Sequence, residues 1–363
     1  MKRVGILTVH RSLNYGAVLQ AYALIRVLNN NGYSAQIVDY ISEAVLQREH
    51  KSSITIKELL KRIVWMNKYG ACKNKENKFR EFARKYYTLS SKSYDKSNIQ
   101  EAEPKYDYFV TGSDQIWNFD ITNSDTVFML DFVSDSHKKK SYAASFGYEK
   151  IPDAYCEKTK EMLSQYSSLL VRENSGVQIL QEMGLEGKMV LDPTLLLNSD
   201  QWLEIACPNY DSEKYILVYT VAAPTHLYEA AKNMAKKMGV KVKVVKLEPA
   251  RHQKGMEQIY DAGPIDFVSL IKNAECVFTT SFHGLAFSLN LGKEVYFEAD
   301  EAKNKNTTRL IHLAELLEVM NRRIESDNVA DLSENPINWA VVYEHLKLER
   351  ENSTRLLLES LSN

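Results

Sequence analysis

The 363-residue sequence predicts two doubly wound α/β domains, each built on a parallel sheet. Three observations predict this. Short β-branched runs alternate with stretches whose apolar residues recur at helical spacing, and they do so in both halves of the chain. The length suits two domains at ~100–200 residues each. The alternation also breaks once, at Asp192-Pro193, and then restarts.

The first element is the β-favouring run 4–9, short and apolar throughout, as a strand covered on both faces should be. A polar loop, 10–16, follows. Ala17, Ala21, Leu24 and Leu28 then mark a helix that Gly32 ends, and 35–40 reads as the next strand, completing a right-handed βαβ unit. Residues 43–93 read as a charge-rich helical insertion with no clear strand. Strand signals return at 108–111, 141–146, 168–171 and 189–191, with helices at 155–166 and 174–183. The second half gives strands at 215–220, 240–247, 276–280 and 294–297. Its helices fall at 226–238, 265–273, 283–291 and 308–317. The expected division is a Rossmann-like domain over 1–197, carrying the insertion, and a second over 198–363. A terminal helix over 337–361, with Val342, Leu346, Leu357 and Leu361 as its apolar positions, is expected to cross back to the first domain.

Composition narrows the class of function. The net charge of -1 gives no global argument for a nucleic-acid partner. Residues 47–105 carry 15 Lys/Arg against 7 Asp/Glu, a local +8 that reads either as solvated helix faces or as a basic surface near an anionic acceptor at a membrane. The four cysteines lack metal-ligand spacing and read as buried thiols of a reducing compartment. The run 4–9 is too short for a signal peptide, and no stretch approaches the ~20 apolar residues of a membrane span. A cytoplasmic protein is expected, with peripheral contact at the inner face of the membrane left open.

Ligands of open parallel sheets sit beyond the carboxyl ends of strands, so the loops there hold the candidates. The first contains Asn14, Tyr15 and Gly16: Asn14 can cap the helix and Gly16 lets backbone approach a ligand, but the loop does not match GxGxxG. The second runs Gly112-Ser113-Asp114-Gln115-Ile116-Trp117-Asn118 and suits a sugar, with an indole for the apolar ring face and Asp114, Gln115 and Asn118 for hydroxyls. Core placement of Trp117 is the bland alternative. The third is Val171-Arg172-Glu173, whose guanidinium either grips a phosphate or carboxylate or pairs with Glu173. The fourth is Thr280-Ser281-Phe282-His283-Gly284, where hydroxyl, imidazole and glycine meet at a helix start, as anion binding and proton transfer require. Arg309 is a further cation for the same anion. HExxH and GxSxG are both absent, so neither a zinc protease nor a nucleophile-elbow hydrolase is indicated, and no metal is expected.

Seven motifs in this order resemble the polysaccharide pyruvyl transferase family over nearly the whole chain. They are residues 14–24 from Asn14-Tyr15-Gly16, the 112–118 loop, Ser141-Tyr142-Ala143-Ala144-Ser145-Phe146-Gly147, Val171-Arg172-Glu173, Leu191-Asp192-Pro193-Thr194, Gly263-Pro264 with Phe267, and Ser281-Phe282-His283-Gly284. The resemblance implies a fold like the two-lobed B-type glycosyltransferases with the active site in the cleft. It implies phosphoenolpyruvate as donor substrate, no cofactor, and a glycan or lipid-linked sugar as acceptor. Carried over, Arg172 and His283 match the family's donor-site arginine and histidine. Some members have arginine two residues before that histidine; Ser281 stands there in this chain, so Arg309 is taken as the second donor cation.

On that basis His283 is the expected general acid and Asp114 the expected base. Arg172, Ser281, Gly284 and Arg309 are assigned to the donor, and Asn14, Tyr15, Gly16, Ser113, Gln115, Trp117 and Asn118 to the acceptor. Two rival readings are a nucleotide-sugar-dependent glycosyltransferase, with Glu298 or Asp300 on a ribose diol, and a catalytically silent glycan- or anion-binding protein.

Overall fold

The structure, a computed structural model, describes residues 1–43, 66–207, 213–246, 253–300, 307–326, 328–329, 332 and 335–362. The chain forms two compact units. The first comprises Met1–Ser52, Tyr86–Leu196 and Leu348–Asn363; the second comprises Ser53–Lys85 and Leu197–Lys347.

In the first unit, β1 (Arg3–Leu7), β2 (Ser34–Ile37), β3 (Tyr108–Thr111) and β4 (Lys139–Ser141) form a parallel sheet in the order β2-β1-β3-β4. Parallel bridges from Lys140 to Ser168 and from Ala144 to Val171 continue it toward the pair β5 (Leu170–Val171) and β6 (Lys188–Met189). The strands are short, and β3 is buried along its whole length, which is why it reads as an unbroken apolar run. Asn14 starts the helix Tyr15–Asn30 by accepting from the amides of Gly16 and Ala17. That helix is buried on nearly every side, packing on β2 and on the short helix Pro193–Leu196.

The second unit is a five-stranded parallel sheet in the order β11-β10-β7-β8-β9. Its strands are β7 (Tyr215–Tyr219), β8 (Lys241–Val245), β9 (Glu257–Ile259), β10 (Cys276–Thr279) and β11 (Glu294–Phe297). Helices Leu227–Met238, Pro264–Asn273, Phe282–Asn290 and Thr308–Leu316 connect or follow them. Its core gathers Ile216 and Val218 from β7, Phe278 from β10 and Ala231 from the first of these helices.

Several expectations need adjustment. The strand expected at 4–9 ends at Leu7, and the edge strand β9 was not foreseen. Residues 44–65 of the insertion lie outside the described residues; from Met66 the insertion is a helix to Tyr86. Its residues up to Lys85 belong to the second unit rather than the first, because Lys78 reaches Asp266 at 2.7 Å, Lys75 donates to the Lys246 carbonyl at 3.4 Å, and Phe79 and Phe82 are buried. The units are therefore not the two contiguous spans expected. The terminal helix, Trp339–Ser360, belongs to the first unit from Leu348 onward. There Arg350 donates to the Leu195 carbonyl and Ser353 accepts from the Leu191 amide. All four cysteines are free, yet only Cys276 is buried; Cys207 is exposed. No described helix is long and apolar enough to cross a membrane.

Candidate functional site

Strand order locates the place where each sheet can bind a ligand. In the first unit the chain passes from β1 to β2 on one side and returns to β3 on the other. The switch therefore falls at the carboxyl ends of β1 and β3, where the 8–16 and 112–118 loops emerge. In the second unit β7 leads to β8 and β9 on one side, while β10 and β11 lie on the other. That switch falls where the loops after Tyr219 and Thr279 emerge. Two of the four candidate loops thus meet at the first switch, and the His283 loop lies at the second.

The first switch is stitched by a buried glutamine. Gln20 donates to Thr8 Oγ1 at 2.9 Å and accepts from the Ser113 amide at 3.1 Å, joining the end of β1 to the loop after β3. Gly112 has φ +121, and a Cβ there would lie 2.1 Å from the Tyr142 carbonyl oxygen, so only glycine fits. Asp114 follows with φ 69. Its carboxylate accepts from Arg172 Nη2 at 3.2 Å, while Arg172 Nη1 donates to Asp192 at 2.9 Å and Nε lies 3.7 Å from Glu173. Asp192 also accepts from Ser113 Oγ at 3.1 Å and from the Thr194 amide and hydroxyl. Burial by itself would lower the Arg172 pKa; the carboxylates of Asp114, Asp192 and Glu173 outweigh it and raise it beyond the usual arginine range.

This geometry corrects two expectations. Arg172 has a 1% exposed side chain among three carboxylates, so it organises Asp114 and Asp192 and does not present its guanidinium to a donor anion. Trp117 is fully buried against Phe146 and Tyr166, at centroid distances of 5.0 and 6.0 Å, and offers no face to a sugar. Tyr15 and Ser113 are likewise buried and Gly16 lies inside its helix, whereas Asn14, Asp114 and Gln115 keep partial exposure. Gln115 accepts from Asn118, and Asn118 caps the short helix Phe119–Thr122.

One cluster at the strand ends went unnoticed in the sequence. His10 Nε2 lies 2.9 Å from Asp39, its Nδ1 3.1 Å from the Thr8 carbonyl, and Arg11 forks onto both Asp39 oxygens at 2.8 and 2.7 Å. Ser93 donates to the same carboxylate. Burial would raise the Asp39 pKa, but the hydrogen bonds from His10, Arg11 and Ser93 hold it well below the usual carboxylate range. The available signal was positional: His10 and Arg11 follow β1, Asp39 follows β2, and the two strands pair in parallel.

In the second unit Ser281 caps the helix Phe282–Asn290 by accepting from the Gly284 amide at 3.3 Å. A Cβ at Gly284 would meet Thr279 Oγ1 at 2.2 Å, so glycine allows this helix to sit against its own strand. His283 is buried, with its ring edge-on to Phe282. Thr280 Oγ1 accepts from the amides of Val221 and Ala222 at 3.1 and 3.2 Å, tying together the loops that flank the switch. Arg309 stands half-buried in the first turn of Thr308–Leu316, a helix that packs against the His283 helix. Glu298, at the end of β11, was a candidate for a ribose diol. Its carboxylate instead accepts the amides of Thr225, His226 and Leu227 and so occupies the start of the helix Leu227–Met238. Among the described residues no group of three His, Cys, Asp or Glu could hold a metal ion.

Two doubly wound parallel units, each with loops gathered at its own switch point, define an α/β protein of the B-type glycosyltransferase fold. The UDP-GlcNAc 2-epimerase from Neisseria meningitidis, solved with UDP-GlcNAc, is similar with a TM-score of 0.51 at 9% identity, covering 99% of each chain. An α-glucosyltransferase solved with UDP has a TM-score of 0.50 at 8% identity, covering 98% of this chain and 95% of its own. At such identities the likeness is one of fold. No curated protein is significantly similar in sequence. The polysaccharide pyruvyl transferase family model matches residues 14–299, and the chain belongs to that family. It is a transferase.

Proposed function

We propose that the protein transfers the enolpyruvyl group of phosphoenolpyruvate to two hydroxyls of a sugar, forming a pyruvate ketal. The observation that carries this reading is the family's histidine motif lying at the topological switch of the second unit, with His283 in the first turn of a capped helix. His283 delivers a proton to the methylene carbon, which becomes a methyl group and leaves an oxocarbenium-like centre. One sugar hydroxyl attacks that centre, the bond to phosphate oxygen breaks, and the second hydroxyl closes the ketal. Of the two hydroxyl protons released, one replaces the proton used at the methyl group and the other leaves with phosphate. Arg309 and the helix amides after Ser281 offset charge on the carboxylate and departing phosphate.

In the first unit Asp114, oriented by Arg172, accepts the hydroxyl proton, and the partly exposed Gln115 and Asn14 serve sugar hydroxyls. The acceptor is a polysaccharide or its lipid-linked precursor, in keeping with the basic insertion, and the protein works at the inner face of the membrane. The nucleotide-sugar reading is disfavoured by Glu298, whose carboxylate is engaged by three backbone amides. The reading is tested by incubating the protein with phosphoenolpyruvate and a panel of glycosides. Phosphate release with a ketal-sized mass gain on one glycoside supports it; glycosyl transfer from a nucleotide sugar would overturn it.

A further inference from the structure

We propose that a hollow in the first unit, beside the loop that follows β3, is a subsite for an acetamido sugar of the acceptor glycan. The proposal rests on the reading that the chain acts on a glycan. The hollow has a volume of about 70 Å³, well above the ~10–15 Å³ that one water needs. Its apolar lining includes Phe119, Met129 and Met162, and Thr159, Lys158 and Tyr155 contribute from the helix Asp153–Leu163.

Two independent features point to a ligand. The first is a column of rings. Tyr155, 36% exposed, stacks on Phe119 at 4.1 Å and 12°, and Phe119 stacks on Tyr148 at 6.1 Å and 20°. A half-exposed, rigidly backed ring gives a pyranose the apolar platform that the buried Trp117 cannot. The second is Thr159. It is 1% exposed, and its hydroxyl has no hydrogen-bond partner among the described residues. A threonine within a helix ordinarily bonds back to the carbonyl one turn earlier, and a buried hydroxyl left without that bond is costly. Ile116, Thr122, Ser124, Asp125 and Thr126 complete the lining. Its apolar side chains and the buried Thr159 hydroxyl match the methyl and carbonyl of an acetamido group, whereas a plain hydroxyl would leave the apolar part unfilled. Asn118 links the subsite to the acceptor loop, since it caps the helix Phe119–Thr122 from which Phe119 and Thr122 line the hollow.

The probes are methyl N-acetyl-β-glucosaminide and methyl β-glucoside, titrated into the full chain with saturation-transfer NMR as the readout. The acetamido methyl should receive the strongest saturation, and the glucoside should bind more weakly. Thr159→Val keeps the shape and removes the donor; it should weaken the glucosaminide by about tenfold while raising the melting midpoint, because an unpaired buried hydroxyl is gone. Tyr155→Ala should weaken both glycosides at an unchanged fold. Equal binding of the two glycosides, no binding of either, or undiminished binding by Thr159→Val would overturn the subsite. Because the readout is binding, it separates from the pyruvyl reading. A chain that binds the glucosaminide but never consumes phosphoenolpyruvate keeps the subsite and loses the transfer chemistry; the opposite result does the reverse.

Discussion

Arg172 Nη1 lies 2.9 Å from Asp192 Oδ2, with side chains 1% and 0% exposed. The pair joins the end of β5 to the Asp192-Pro193 turn, and through Ser113 and Asp114 it fixes the loop after β3. Removing Asp192 takes the 2.9 Å counter-ion from the buried Arg172, leaving Asp114 at 3.2 Å and Glu173 at 3.7 Å, and strips Ser113 and Thr194 of their shared acceptor. Asp192→Ala should cost roughly 3–5 kcal/mol in denaturant unfolding. A loss under about 1 kcal/mol, typical of exposed pairs, would contradict the buried hub.

His283 bears the proton-transfer chemistry in the proposed mechanism. His283→Gln keeps a hydrogen-bonding group of similar reach and should leave the melting midpoint within a degree or two of wild type. Phosphate release from phosphoenolpyruvate should fall by about 10²–10⁴-fold. Activity near the wild-type level would remove His283 as the acid.

Asp39 predicts an acid-sensitive first unit. Its folded carboxyl titrates below its unfolded value, so its contribution to stability is fully present above ~4 and is lost as pH falls through and below that value. Asp39→Asn should lower stability at neutral pH and flatten the loss between about pH 4 and 2. Parallel pH–stability curves for variant and wild type would refute this.

Glu298 predicts a capping effect in the second unit. Glu298→Ala strips three amides at the start of Leu227–Met238 of their acceptor and should cost about 1–2 kcal/mol, with Glu298→Gln retaining part of the loss. If Glu298 instead served a nucleotide, Glu298→Ala would leave stability intact and abolish binding of a UDP-sugar.

The alternation of strands and helices was legible because parallel strands buried on both faces read as apolar runs, as at Tyr108–Thr111 and Tyr215–Tyr219. The loops were legible because Gly112 and Gly284 sit where a Cβ would collide with backbone or strand. Side-chain direction was not. Trp117 and Arg172 have the chemistry of ligand-binding groups, but nothing in a linear pattern tells an indole facing Phe146 from one facing solvent. Pairings between distant segments were equally hidden: Asp39 with His10 depends on strand register, Glu298 with Thr225 on a contact across 73 positions, and Lys78 with Asp266 on 188. Gln20 left one trace, an amide set between the apolar residues Leu19 and Ala21 on the buried part of its helix, and its role emerged only once Thr8 and Ser113 were adjacent.

The central claim, phosphoenolpyruvate as donor, is tested most directly by thermal unfolding with that compound and with UDP-N-acetylglucosamine in parallel. A ligand that binds the folded chain alone raises the midpoint by mass action. The account predicts a concentration-dependent rise with phosphoenolpyruvate that Arg309→Ala diminishes, and no rise with the nucleotide sugar. A rise with the nucleotide sugar alone would contradict it.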